Sequence, residues 1–322
     1  MSLFNWLQQR GLCLVAAFMC SGVHASLIVA TADLPSCPPQ PPFPDRELRL
    51  NAQRQATDRG FLWLISRDGR DSYLYGTIHA GRPEWFALGP KLESSLFRSG
   101  VLALEIDATD PAVLTELRRV SSGAARPLPA DLMHSLRKAW VAECLPPADL
   151  DLGAAEYHAT RLAVAQAQRA GLFPMYGAEA VLLLYSLRAE RPVVGLESVD
   201  TQLSALLARN DEEAAAMVRE MLAELQRPQA ARSLERLAHA WASNDLRDLE
   251  KYPEWCDCLN TATERETYDR LVDGRNPGLA DAIDKLHAGA SVFAAVGALH
   301  MVGKQGLPAL LQAKGFKVQR VF

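Results

Sequence analysis

Two histidines of this chain, His79 and His300, each stand three residues after a glycine that closes an apolar, strand-like run. The runs are YLYGTIHAG, Tyr73 to Gly81, and VFAAVGALHMVG, Val292 to Gly303. Imidazole nitrogens exchange protons near neutral pH and bind divalent ions. A strand that ends in glycine can turn sharply, because glycine accepts backbone angles that other residues resist. A histidine just past that turn stands at the carboxyl end of its strand, where ligands bind in α/β sheets. Two such histidines and one carboxylate would make a three-ligand metal site with a position left for water. Glu105 ends VLALE and Glu197 ends VVGLE, both acids at the end of an apolar run. Charge there is costly unless it is paired or ligating. The expected ion ligands are His79, Glu105 and His300, with Glu197 as general base or as orienter of a ligating histidine. Either acid could fill either role. His134, His158, His239 and His287 lie in helical, polar contexts and are read as surface or core positions.

These residues need a scaffold of strands. RGFLWLISRDGRDSYLYGTIH alternates about a central RDGRD, the mark of a β-hairpin. VLALEID (Val101–Asp107), RPVVGLESVD (Arg191–Asp200), SVFAAVG (Ser291–Gly297) and GFKVQRVF (Gly315–Phe322) supply further strands. The segments between them carry helical periodicity and helix-end signals, such as the acids that open DEEAAAMVREMLAELQR and the Arg that closes it. The expected fold is α/β: a central mixed sheet with two strand–Gly-x-x-His–helix units and large helical insertions at about 108–190 and 200–288. Residues 46–322 are read as one domain. If the two units face each other, both histidines reach one edge of the sheet.

Composition narrows the remaining classes. The 322 residues are 49% hydrophobic and 22% charged, with a net charge of -4, which gives no basic surface for nucleic acid. Arg10, the apolar GLCLVAAFMC and the small residues of SGVHAS form the pattern of a secretory signal peptide, residues 1–25. The apolar run is too short to span a bilayer, so no stable membrane span is expected after cleavage. A proline-rich leader, 26–45, follows. Periplasmic or secreted protein is expected, with Cys37, Cys144, Cys256 and Cys258 oxidised. The WCDC pair is read as too close to bridge to itself, so each of its cysteines is expected to reach Cys37 or Cys144. The rival reading is a Cys-x-Cys metal or redox site. The chain has no Gly-x-Ser-x-Gly elbow, phosphate loop or His-Glu-x-x-His helix.

Several longer stretches carry a resemblance: DRGFLWLISRDGRDSYLYGTIHAG, LALEID, VVGLESVDTQL, WASNDL, LVDGRNPGLADAI and FAAVGALHMVGKQGLPALLQAKGFKVQRV. Together they resemble the TraB/GumN family, the group that includes the Tiki-type metalloproteases. The resemblance covers most of the expected mature chain, from residue 26 on. It implies a paired Gly-x-x-His signature at Gly76–His79 and Gly297–His300, an essential acid at Glu105, and weight on Glu197 and on Arg275–Asn276. From it follows the expectation of a metal-dependent hydrolase of peptide bonds, using Mn, Co or Zn. Arg275 would stabilise an oxyanion or grip a substrate carboxylate. Two rivals stand beside it: a non-catalytic periplasmic module that binds a small anion or glycan, and a metal-independent, esterase-like hydrolase.

Overall fold

The computed structural model describes residues 37–123 and 125–322. The expected signal peptide and the leader up to residue 36 lie outside the described residues. The chain divides into two compact units. Among the described residues, one comprises 37–40, 108–123, 125–170 and 207–226; the other comprises 41–107, 171–206 and 227–322.

The larger unit holds the sheet. Its strands are β1 (Phe61–Arg67), β2 (Arg70–Thr77), β3 (Val101–Leu104), β4 (Val193–Gly195), β5 (Val292–Gly297) and β6 (Lys317–Arg320), in the spatial order β4-β3-β5-β2-β1-β6. The RDGRD signal becomes a two-residue turn. Asp68 and Gly69 both take positive φ, 52° and 74°, the geometry that matches the twist of a hairpin. β1 also pairs antiparallel with β6, whereas β2, β5, β3 and β4 run parallel. In β5 every residue is buried, with Ala294 and Ala295 at its centre. This is the pattern of a central strand covered on both faces. Helices Pro90–Arg98, Ala178–Arg188 and Asn276–Gly289 contribute Leu92, Leu96, Leu182, Leu279 and Ile283 to the core of this unit.

Register fixes the site. Thr77 lies opposite Gly297, and Leu104 pairs with Ala295 on one side and Gly195 on the other. Four neighbouring parallel strands therefore end at one edge, and His79, His300, Glu105 and Glu197 each follow one of those ends within three residues.

The smaller unit is helical, with helices Pro111–Ser122, Ala130–Ala142, Ala155–Arg169 and Asp211–Leu225. The last three pack Leu132, Leu136, Trp140, Leu162, Val218 and Leu222 into a second core. Among the described residues no helix is long and apolar enough to cross a membrane.

The cysteine pairing differs from expectation. Cys37 bonds to Cys144, and Cys256 bonds to Cys258. The residue between the last two, Asp257, has φ of 56°. That left-handed turn folds the chain back and brings the two Cα atoms to 5.1 Å, inside the range that bridges need. Spacing in sequence was a poor guide because one unusual backbone angle closes the gap. The bridges should differ in worth. Replacing Cys37 and Cys144 by serine opens a link spanning 107 residues and is expected to cost ~2–5 kcal/mol in chemical denaturation. Replacing Cys256 and Cys258 opens a very short loop, and the same measurement should lose only about 1–2 kcal/mol. A larger loss from the short bridge would contradict the loop-closure account.

Candidate functional site

Glycine serves this site by making room. Neither Gly76 nor Gly297 has positive φ, so the expected sharp turn at glycine does not occur: β2 continues through Gly76 to Thr77. A Cβ on Gly76 would stand 3.0 Å from Met301 Cγ and 3.3 Å from Ala298 Cα, both in the 3-10 turn Ala298–Met301 that carries His300. The bare backbone of β2 lets that turn settle against it. A Cβ on Gly297 would lie 3.5 Å from Glu105 Oε1, 3.5 Å from His300 Cδ2 and 3.8 Å from His79 Nε2. The two histidines and Glu105 thus converge on one small space floored by the Gly297 backbone.

Each side chain there is held by named partners. The Gly297 amide donates to Glu105 Oε1 at 3.0 Å. Arg275 donates from Nη2 to both Glu105 and Glu197, and from Nε to Glu197 Oε2 at 3.2 Å. Gln202 Nε2 donates to Glu105 Oε2 at 3.2 Å. Arg275, Glu105 and Glu197 are 10%, 11% and 8% exposed, so these charges depend on one another for stabilisation. The next residue, Asn276, is fully buried. Its Oδ1 lies 2.6 Å from His300 Nδ1, and its Nδ2 donates to the Gln305 carbonyl at 2.8 Å. The amide must present its oxygen to the ring, so Nδ1 of His300 carries the proton and Nε2 keeps its lone pair.

On the opposite side of the space, His79 Nδ1 lies 2.8 Å from Glu179 Oε1, and Thr77 Oγ1 donates to the same oxygen. The His79 loop is fastened to the segment that precedes the helix Ala178–Arg188. Gly81 and Phe173 exchange backbone hydrogen bonds of 3.0 and 2.7 Å, and the Ala178 amide donates to the Ile78 carbonyl at 2.8 Å. Gly177 is required there, since a Cβ would sit 2.3 Å from the His79 carbonyl oxygen.

The electrostatics follow from burial and these neighbours. Burial works to raise the Glu105 carboxyl, but His79, His300, Arg275 and the Gly297 amide outweigh it and lower it to about 2. Burial lowers His300 to about 4, and the attraction of Glu105 offsets only part of that. The Glu179 carboxylate raises His79 to about 9; with the imidazole 77% exposed, water screens the effect and the upward direction is what stands. Burial raises the Glu197 carboxyl in spite of Arg275. At neutral pH the geometry therefore pairs a neutral His300 with a His79 biased toward its cationic form.

The donors suit a divalent ion in kind: two imidazoles, each anchored through Nδ1, and a carboxylate, around a space that a single Cβ would fill. Their placement is more open than a ligand shell. Among the described residues no three His, Cys, Asp or Glu side chains are gathered closely enough to hold an ion, and Glu105 is engaged by Arg275 and Gly297. The donors of Arg275 likewise turn toward the two acids and, from Nη1, to the Leu271 carbonyl at 2.9 Å.

Sequence reasoning does not reach Glu179 or Gln202. Glu179 carries a signal all the same, as the single charge in GAEAVLLLYSL. An acid within so apolar a run needs a partner. Gln202 sits in an ordinary helical stretch and carries none.

A mixed α/β sheet whose parallel strands gather two histidines and two glutamates at their carboxyl edge, with an arginine against both acids, defines the class. The chain belongs to the TraB/PrgY/gumN family, which matches residues 61–320. It is similar to "Uncharacterized protein YbaP" of Shigella flexneri, 27% identical over 245 residues that cover 76% of this chain and 88% of that protein. The protein of the same description from Escherichia coli (strain K12) is 26% identical over 245 residues, with the same coverage. No solved structure matches this chain.

Two outcomes are expected from this geometry. Gly177→Ala should destabilise the protein by ~1–3 kcal/mol in urea denaturation, because the new methyl meets backbone. Gly297→Ala makes only ordinary contacts and should change stability by less than about 1 kcal/mol while filling the space between the histidines. The reverse ranking would contradict the assigned packing. The second outcome concerns pH. The unfolded chain protonates His300 below about 6.5, whereas the folded protein does so only near about 4. Stability from this group is therefore lost as pH falls between those values, on the order of 3 kcal/mol. His300→Gln should flatten that part of the pH profile, and unchanged profiles would refute it.

Proposed function

We propose that this chain is an exported hydrolase, and that its water-activating centre is the space bounded by His79, His300, Glu105 and Gly297. The convergence of the two imidazoles and Glu105 on the missing Gly297 side chain is the observation that carries the proposal. In the leading version His79, His300 and Glu105, drawn closer together than they lie here, would hold a divalent ion, Mn, Co or Zn. Such an ion lowers the pKa of a bound water and polarises a carbonyl. Between the two acids, Glu105 is the better candidate ligand, since it borders the histidines. Glu197 keeps Arg275 in place and is the candidate base, its carboxyl already raised by burial. Arg275, once a carboxylate is displaced from it, would be the group that meets an oxyanion. The substrate class, a peptide bond, is taken from the resemblance to Tiki-type metalloproteases. Two disulfides support export to a periplasmic or extracellular setting, where thiols oxidise.

A second version dispenses with the ion, and one observation favours it: Arg275 already supplies the positive charge that an ion would bring to Glu105. His300, neutral and with Nε2 free, would then act as general base, and His79, biased toward its cation, as general acid or oxyanion partner.

The test combines metal analysis with hydrolysis. Purified, oxidised protein is measured for bound transition metal by mass spectrometry, then assayed on a peptide panel after chelation and after addition of Mn²⁺, Co²⁺ or Zn²⁺. The leading version expects loss on chelation, recovery with one ion, and loss of metal and turnover together in Glu105→Gln. Turnover that survives chelation but falls 10²–10⁴-fold in His300→Ala supports the second. Absence of turnover under every condition would overturn both and leave a binding module.

A further inference from the structure

The least expected group at the site is Glu179. It lies in the first turn of the helix Ala178–Arg188, its side chain is 19% exposed, and one oxygen takes hydrogen bonds from both Thr77 and His79. We propose that Glu179 is the positioning residue of His79: it holds Nδ1, so that in the neutral ring the proton stays there and Nε2 presents its lone pair to the space over Gly297. The proposal deepens the hydrolase reading and rests on it for its consequence in turnover, although the ring orientation it asserts can be measured without any activity.

Three observations support it. First, the contact is with Nδ1, at 2.8 Å, while Nε2 is the atom 3.8 Å from the vacant Cβ position of Gly297. A neutral imidazole has one donor nitrogen and one acceptor nitrogen, so a carboxylate at Nδ1 decides which is which. Second, Glu179 cannot drift from the loop it serves. The helix start is tied to that loop by Ala178 to Ile78, by the Gly81–Phe173 pair and by the close approach of Gly177. Third, the arrangement has a counterpart. Asn276, at the start of another helix, holds His300 through its Nδ1 in the same way. The two supports differ in charge. A carboxylate strengthens electron donation from Nε2 of the histidine it holds and favours its cation; an amide oxygen fixes orientation while leaving the ring neutral. This difference distinguishes the two imidazoles of an otherwise paired motif.

A purely structural Glu179, needed only to anchor the helix start, would affect stability alone. The experiment therefore reads the ring. Nitrogen-15 correlation spectra of the neutral His79 imidazole report which nitrogen carries the proton, in wild type, Glu179→Ala and Glu179→Gln. Wild type should show the Nδ1–H form. Glu179→Ala should lose that preference. Glu179→Gln retains a carbonyl oxygen as acceptor and should restore it, and this variant also serves if Glu179→Ala does not fold. Titration of each folded variant with Mn²⁺ or Zn²⁺, or kcat on a hydrolysed peptide, should show a fall of about 10–100-fold in Glu179→Ala with partial recovery in Glu179→Gln. An Nε2–H wild type, or a folded Glu179→Ala with an unchanged ring, would overturn the proposal whatever the protein hydrolyses. A ring that responds as expected in a protein that neither binds ions nor hydrolyses peptides would uphold the positioning role and remove the hydrolase reading.

Discussion

Two carboxylates, Glu105 and Glu197, leave adjacent parallel strands side by side with little access to water. Charges removed from water each cost several kcal/mol, and like charges in company cost more. One guanidinium, Arg275, lies against both and makes their joint ionisation tolerable. Much of the site follows from that single cation. Arg275 precedes the helix Asn276–Gly289, so fixing its head also fixes the position of Asn276 and, through it, the ring of His300. Glu105, held on one side by Arg275, offers its other oxygen to the amide of Gly297 and so joins the end of β3 to the end of β5. Strand register, helix placement and ring orientation meet in this cluster.

The two histidines reach the same space by unlike means. His300 is buried, neutral and held by an amide. His79 is exposed, paired with a carboxylate and mounted on a loop that is hydrogen-bonded to the approach of the helix Ala178–Arg188. Repeated motifs in one chain can therefore diverge in electrostatics while keeping their geometry. Acid–base chemistry benefits from such divergence, since one group must release a proton where the other accepts one.

Much of this was legible in the sequence, and the gaps have physical causes. Alternation and continuous apolar runs located all six strands, because the pleat leaves a period of two and burial on both faces leaves an uninterrupted run. The Asp68–Gly69 turn was equally visible. Glu105 and Glu197 stood out as charges at the ends of such runs. The role of glycine at positions 76 and 297 was misread as backbone freedom; only the neighbours' coordinates reveal that the need is for space. The Cys256–Cys258 bridge was missed because it depends on the left-handed angle at Asp257, which an aspartate does not announce. Glu179 went unseen because it approaches His79 from a segment about 100 residues distant, and pairing across the fold leaves no local period to read.

The order in which the sheet is completed has its own consequence. β5 lies between β2 and β3, bonding Phe293 to Tyr73 on one side and to Leu102 on the other, yet it follows them in the chain by roughly two hundred residues. Until β5 is in place, β1–β2 and β3–β4 are separate two-stranded pieces, each with an apolar edge seeking a partner. Contacts so distant in sequence are slow to form because the intervening chain must first be drawn together. During synthesis the amino-terminal hairpin must wait, exposed, for a strand near the far end of the message. A chain ending before residue 292 would leave both pieces with that edge unpaired, a state open to aggregation.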